Sequence, residues 1–170
     1  MAVAAIIAID PGSERSAYVG LAAATGETVV LHGLVPNAEL LDALRTGALV
    51  RELAGTTGTV VVVEEMRSFM ASVGASVFDT VRWAGRFEEA AHPGRVEVIG
   101  RKRVAAHLTG SARWGDSIIR AALIDRYGGA GGKDAAIGRK AAPGPLYGIS
   151  RDVWSALAIA LTWLDTEGAA

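Results

Sequence analysis

Residues 3–13 read Val-Ala-Ala-Ile-Ile-Ala-Ile-Asp-Pro-Gly-Ser. An unbroken apolar run from Val3 to Ile9 meets an acid, and a turn follows at once. Such a run is a buried strand, and Asp10-Pro11-Gly12 stops it. The next residues extend the pattern. Ala17–Ala24 and Glu27–Val35 read as two further strands, with Thr25-Gly26 as a hairpin turn between them. Pro36-Asn37 then opens a helix in which Asn37 is placed to cap and Leu40, Leu41 and Leu44 keep helical spacing. Residues 58–63 hold four consecutive valines and end in Glu64-Glu65. Dense β-branching without alternation marks a central strand covered on both faces.

Further along, residues 76–91 predict an amphipathic helix with Val77, Val81, Ala84 and Phe87 on one stripe. Residues 95–99 predict a strand. Residues 116–127 predict a helix with Asp116 as a plausible N-cap. Residues 128–148 are rich in Gly, Pro, Lys and Arg, show no periodicity and read as a long mobile loop. Ser150 is placed to cap a last helix ending near Leu164. A three-strand meander followed by alternating helices and strands predicts an α/β fold, a mixed five-stranded sheet with helices on both faces. Residues 1–170 read as a single domain.

The 51% of hydrophobic residues excludes a disordered chain, and aromatics are only 6%, so Ala, Val, Leu and Ile must fill the core. The chain has no cysteine, which excludes disulfides, thiolate zinc sites and a cysteine nucleophile. No basic start or cleavage signature marks a signal peptide, and no apolar run reaches the roughly 18 residues of a membrane span. The expectation is a cytoplasmic protein with no membrane partner. Net charge is −1, but eleven Lys/Arg face only four acids between Pro93 and Arg151. A basic part beside an acidic part suits a carboxylate site next to a phosphate-tracking surface, although a solvated basic face explains the charge as well.

Three acids hold odd positions: Asp10 and Glu64 or Glu65 end buried strands, and Asp152 lies in the first turn of the last helix. Each has an ordinary reading alone: a turn residue, a solvated strand exit, a complement to the helix dipole. Together they sit where sites form in open α/β sheets. Carboxylates gathered there repel, and a divalent cation removes the conflict. Oxygen-only ligands suit magnesium, or manganese in its place. Adjacent strand residues face opposite ways, so only one of Glu64 and Glu65 can join Asp10, and Glu64, the last residue in register, is the choice. His32, His92 and His107 share no metal-like spacing, although His107 is a candidate accessory group. The glycine pairs near residue 130 lack the Gly-Lys-Ser/Thr of a phosphate loop.

These residues resemble a known family. Ile9-Asp10-Pro11-Gly12-Ser13 with Ser16-Ala17-Tyr18 looks like the first motif of RuvC-type Holliday-junction resolvases, the valine strand ending in Glu64 like the second, and Asp152-Val153-Trp154-Ser155-Ala156-Leu157-Ala158 like the third. Further stretches resemble RuvC-like proteins encoded by bacteriophages: Pro36-Asn37-Ala38-Glu39, Val73-Gly74, Val77-Phe78-Asp79-Thr80, Asp116 with Ile119-Arg120, and Pro143-Gly144-Pro145-Leu146-Tyr147-Gly148. The resemblance implies a ribonuclease H-like fold, a homodimer, branched DNA as substrate, and Asp10, Glu64 and Asp152 as catalytic ligands of two magnesium ions. It departs at Ser155, where the resolvase pattern has another acid, and at Arg113, where it has a lysine. Arg101, Lys102, Arg103, Arg113, Lys133, Arg139 and Lys140 are then expected to hold DNA phosphates. A junction-binding protein with little catalysis is the alternative that Ser155 motivates.

Overall fold

A computed structural model describes residues 3–22, 27–53, 58–66, 74–111 and 115–168. The Thr25-Gly26 turn, Val73 and Arg113 lie outside the described residues. The strands are β1 (Ala5–Asp10), β2 (Arg15–Ala22), β3 (Thr28–Pro36), β4 (Thr59–Glu65) and β5 (Arg95–Gly100). They form one sheet in the order β3-β2-β1-β4-β5. β1 pairs antiparallel with β2, and β2 with β3, while β1–β4 and β4–β5 are parallel. The mixed five-stranded sheet expected from the sequence is present.

Helices α1 (Asn37–Arg45), α2 (Ala48–Glu52) and α3 (Ala75–Ala90) cover one face. Helices α4 (Arg101–Thr109), α5 (Asp116–Gly128), α6 (Gly132–Ala136) and α7 (Val153–Glu167) cover the other. Alternation along each strand sorts the core in two. Ile6, Ala8, Val60 and Val62 pack under α7 and its neighbours, whereas Ile7, Ile9, Val61 and Val63 pack against α1–α3. α7 is apolar nearly all round, as a helix enclosed by protein must be, and every residue from Val153 to Trp163 except Ser155 is buried.

Several local expectations change. Residues 128–148 are folded rather than loose: a 3₁₀ turn and α6 lead into a small hairpin of β6 (Gly138–Arg139) and β7 (Ala142–Pro143). Two of its glycines, Gly138 and Gly144, serve close packing. A Cβ on Gly144 would lie 2.5 Å from the carbonyl oxygens of Ala135 and Ala136. That tight approach lets the Leu146 amide donate to the Ala136 carbonyl at 2.8 Å and sinks Leu146 into the core. On α3 the inward stripe is Thr80, Ala84 and Phe87, and Val81 is 47% exposed. α2 and α4 are too short and too sparsely apolar to read from periodicity. None of Asn37, Asp116 and Ser150 makes a side-chain cap; the N-cap positions are Pro36, Gly115 and Asp152.

At the C-terminal end of α7, Arg126 of α5 clamps two carboxylates. Its guanidinium donates to both oxygens of Asp165 at 2.7 and 2.8 Å, and also grips Glu27 before β3. His107 Nε2 meets Asp165 at 2.7 Å, and the Tyr127 hydroxyl donates to the Glu27 carbonyl at 2.7 Å. Arg126, with His107 adding to it, holds the Asp165 carboxyl below its ordinary value of 3.8. A depressed carboxylate stabilises the fold above its unfolded pKa and loses that contribution as pH falls through the folded one. Arg126→Ala should therefore cost about 1.5–3 kcal/mol at pH 7, the range for hydrogen bonds to charged groups. In urea unfolding the gap to wild type should shrink steadily below pH 4.

Candidate active site

β1 and β4 run side by side in parallel, with Ile9 opposite Val63. One step further the same register sets Asp10 beside Glu64. Both side chains take the face of Ala8 and Val62, under α7. Glu65 follows Val61 and Val63 to the opposite face, which is why only Glu64 can meet Asp10. Glu64 is just 3% exposed, and its Oε2 has no hydrogen-bond partner. Burial pushes the Asp10 carboxyl up to about 8, and Glu64 beside it adds to the rise. Arg101, the first residue of α4, opposes that rise in part. Its guanidinium lies 3.8 Å from Glu64 and donates to Asp116 at 2.9 Å.

The turn after Asp10 is held by a buried polar relay. The Gly12 amide donates to Ser16 Oγ at 3.1 Å, Ser16 Oγ donates to Asn37 Oδ1 at 2.6 Å, and Asn37 Nδ2 donates back to the Gly12 carbonyl at 2.9 Å. Ser16 and Asn37 are almost fully buried. Gly12 is required, because a Cβ there would sit 2.2 Å from the Arg15 carbonyl oxygen. The relay fixes the backbone two residues from the Asp10 carboxyl. Sequence reading took Asn37 for a helix cap. The missed signal is a polar residue at each end of an apolar hairpin, Ser16 near the start of β2 and Asn37 directly after β3.

Asp152 is exposed at the head of α7 and adds a smaller upward push on Asp10 through space. It lines a cleft of about 470 Å³ with Asp116, Arg120, Arg151, Trp154 and Ser155, a cleft that Asp10 and Glu64 do not line. Among the described residues no three His, Cys, Asp or Glu side chains stand close enough to cage a metal by themselves. Asp10 and Glu64 are brought together, and Asp152 stands near them rather than with them.

Of the residues expected to hold phosphates, Arg101 is half-occupied by Glu64 and Asp116, and Arg103 pairs with Glu167. Lys102, Lys133, Arg139 and Lys140 are exposed on α4, α6 and the β6–β7 hairpin. Arg113 is outside the described residues. His107 is bound to Asp165, thirteen positions along α7 from Asp152 and so roughly 20 Å away at 1.5 Å per residue. It takes no part at this end.

No protein-family model and no curated protein sequence matches the chain. Solved structures do. The RuvC of Thermus thermophilus in complex with a Holliday junction substrate aligns at a TM-score of 0.61 and 21% identity, covering 93% of this chain and 91% of that one. A second structure of Thermus thermophilus RuvC aligns at 0.58 and 22%, covering 93% and 92%. The chain has the RuvC fold, which is ribonuclease H-like. In that fold the Asp10–Glu64 pair occupies the middle of the sheet, at the carboxyl ends of two parallel strands, where the crossover geometry opens a site. Among the described residues, no helix is long and apolar enough to cross a membrane.

Two outcomes follow from these contacts. Asp10 keeps a proton that the unfolded chain releases, so between pH 4 and 8 the unfolded state binds fewer protons and stability falls as pH rises. In EDTA the melting temperature should drop across that window, and Asp10→Asn should flatten the drop. Asn37→Ala strands Ser16 Oγ and the Gly12 carbonyl in a dry site, and should cost about 1–3 kcal/mol in chemical denaturation.

Proposed function

We propose that this protein is a magnesium-dependent, structure-selective endonuclease that cuts four-way junctions or other branched DNA, of the RuvC-like type that bacteriophages encode. The observation that carries the reading is the Asp10–Glu64 pair, with Glu64 buried and Asp10 half-buried. Two carboxylates side by side at the ends of parallel strands, one with an unpartnered oxygen, cannot both be charged unless a cation stands between them. Magnesium keeps several waters and uses one or two protein carboxylates plus substrate phosphates, so the donor set fits it, and manganese is a substitute of similar preference.

In this reading Asp10 and Glu64 are the inner ligands and Asp152 joins them from the head of α7. Magnesium held there would supply a Lewis acid for the phosphoryl group and lower the pKa of a water so that it could act as hydroxide. Asp10 must surrender its proton before it can ligate. Arg101 keeps Glu64 oriented and offers positive charge to the DNA backbone. The Gly12–Ser16–Asn37 relay keeps the Asp10 carboxyl from swinging away. Exposed Lys102, Lys133, Arg139 and Lys140 extend a phosphate-tracking surface. Two such sites in a homodimer would cut paired strands of a junction.

A second reading, a junction-binding protein with weak or no cleavage, is favoured by Ser155 in place of an acid and by the lack of a three-acid cage among the described residues. Cleavage and gel-shift assays on one synthetic four-way junction separate the two. Wild type in magnesium should cut, EDTA should stop it, and Asp10→Asn should lose at least a hundredfold in rate while still shifting the junction. Binding without cutting by wild type would establish the second reading, and equal cutting by wild type and Asp10→Asn would remove Asp10 from the site.

A further inference from the structure

The cleft that Asp152 borders carries a second pattern. Arg120 and Arg151 both line it, and neither forms an ion pair among the described residues. Arg120 is not loose: its guanidinium lies over the Trp154 ring, 5.1 Å from the centroid, an arrangement that holds a cation in place without neutralising it. Arg151 sits at φ 49, a left-handed conformation that L side chains avoid. Glu27, whose side chain Arg126 grips, is the other described non-glycine residue with positive φ. Among the described residues the Arg151 side chain has no such ion pair, and backbone strain beside a cleft points to function.

Of the two acids that line the cleft, Asp116 is engaged by Arg101, and Asp152 is the one that the nuclease reading assigns to the metal. The hydroxyls of Ser117, Ser150 and Ser155 also line the space, ready to donate to an anionic oxygen. The first turns of α5 and α7 border it and add the positive ends of two helix dipoles. The volume of about 470 Å³ lies within the range of ligand pockets, roughly 300–1,000 Å³. Two unneutralised guanidiniums, flanking hydroxyls and one fixed aromatic face suit a sugar-phosphate backbone.

The geometry points to this cleft as a seat for a DNA phosphodiester next to the one that is cut, with Arg120 and Arg151 as its phosphate ligands. This rests on the nuclease reading, and it gives the strained Arg151 a purpose: the left-handed turn sets the head of α7 so that Asp152 faces the carboxylate pair while Arg151 takes the neighbouring phosphate. Arg120 lies in a stretch that resembles the RuvC-like pattern, but neither arginine was expected from the sequence to hold a phosphate, because both sit on elements read as ordinary helix or loop.

Binding of a fluorescent four-way junction by wild type, Arg120→Gln, Arg151→Gly and the double variant, in calcium and across 50–200 mM salt, tests it. Each lost phosphate contact lowers the slope of log K against log salt by about 0.9. Each single variant should lose about one unit of slope, the double about two, with affinity at least tenfold weaker. Arg151→Gly also separates binding from folding, since glycine adopts φ 49 freely and its melting temperature should stay level or rise. A double variant with wild-type slope overturns the seat, even if its affinity drops. The nuclease reading is judged apart, by wild-type cleavage in magnesium. Cleavage with an unchanged slope sinks the cleft alone. A reduced slope without cleavage leaves the cleft a DNA seat and sinks the nuclease.

Discussion

The parallel pairing of β1 with β4 is the constraint on which the rest of the molecule turns. It places two carboxyl groups against each other on one face of a sheet, in a position that water barely reaches. Electrostatics opposes that arrangement: burial favours the neutral acid, and the neighbouring acid favours it further. The fold nevertheless holds the pair together, because the strands beneath are locked by valine and isoleucine on both faces and cannot shift register without turning the core inside out. Core packing thus imposes on Asp10 and Glu64 a proximity they would not choose, and that imposed proximity is the chemical resource of the site.

Around the pair, the polypeptide supplies support in layers. Arg101 touches Glu64 and Asp116 and so links the site to the heads of α4 and α5. Ser16 and Asn37 tie the turn after Asp10 to the end of β3, each satisfying the other's buried polar atoms. α7 covers the face on which Asp10 and Glu64 lie and carries Asp152 at its head. The carboxylate pair therefore depends on elements drawn from nearly the whole length of the chain, which matches the spread of the motifs in the sequence.

What was legible before the structure was whatever follows from period and charge. The four valines before Glu64-Glu65 announced a doubly buried strand; alternation allowed only one of the two acids beside Asp10, and register preferred Glu64. Polar residues misled where their partners were distant. Asn37 looked like a cap because helix caps are local, whereas its bonds reach 25 residues back to Gly12. The segment from 128 to 148 looked loose because glycine usually signals freedom, whereas here its lack of a side chain lets backbones touch. α4 passed unread because a nine-residue helix that opens on Arg-Lys-Arg offers too few apolar positions to show a period. Asp152 read correctly as standing at a helix start, but its distance from the other acids is set by tertiary packing that no local pattern encodes.

The burial of α7 has a consequence for how the molecule comes into being. The face of the sheet that it covers is built from residues at the other end of the sequence, so those strands present bare aliphatic surface until the helix arrives. The same docking event brings Asp152 to Asp10 and Glu64. A partly made chain therefore lacks a sealed interior and has Asp10 and Glu64 without Asp152. On the nuclease reading proposed above, an unfinished copy would be disarmed as well as sticky.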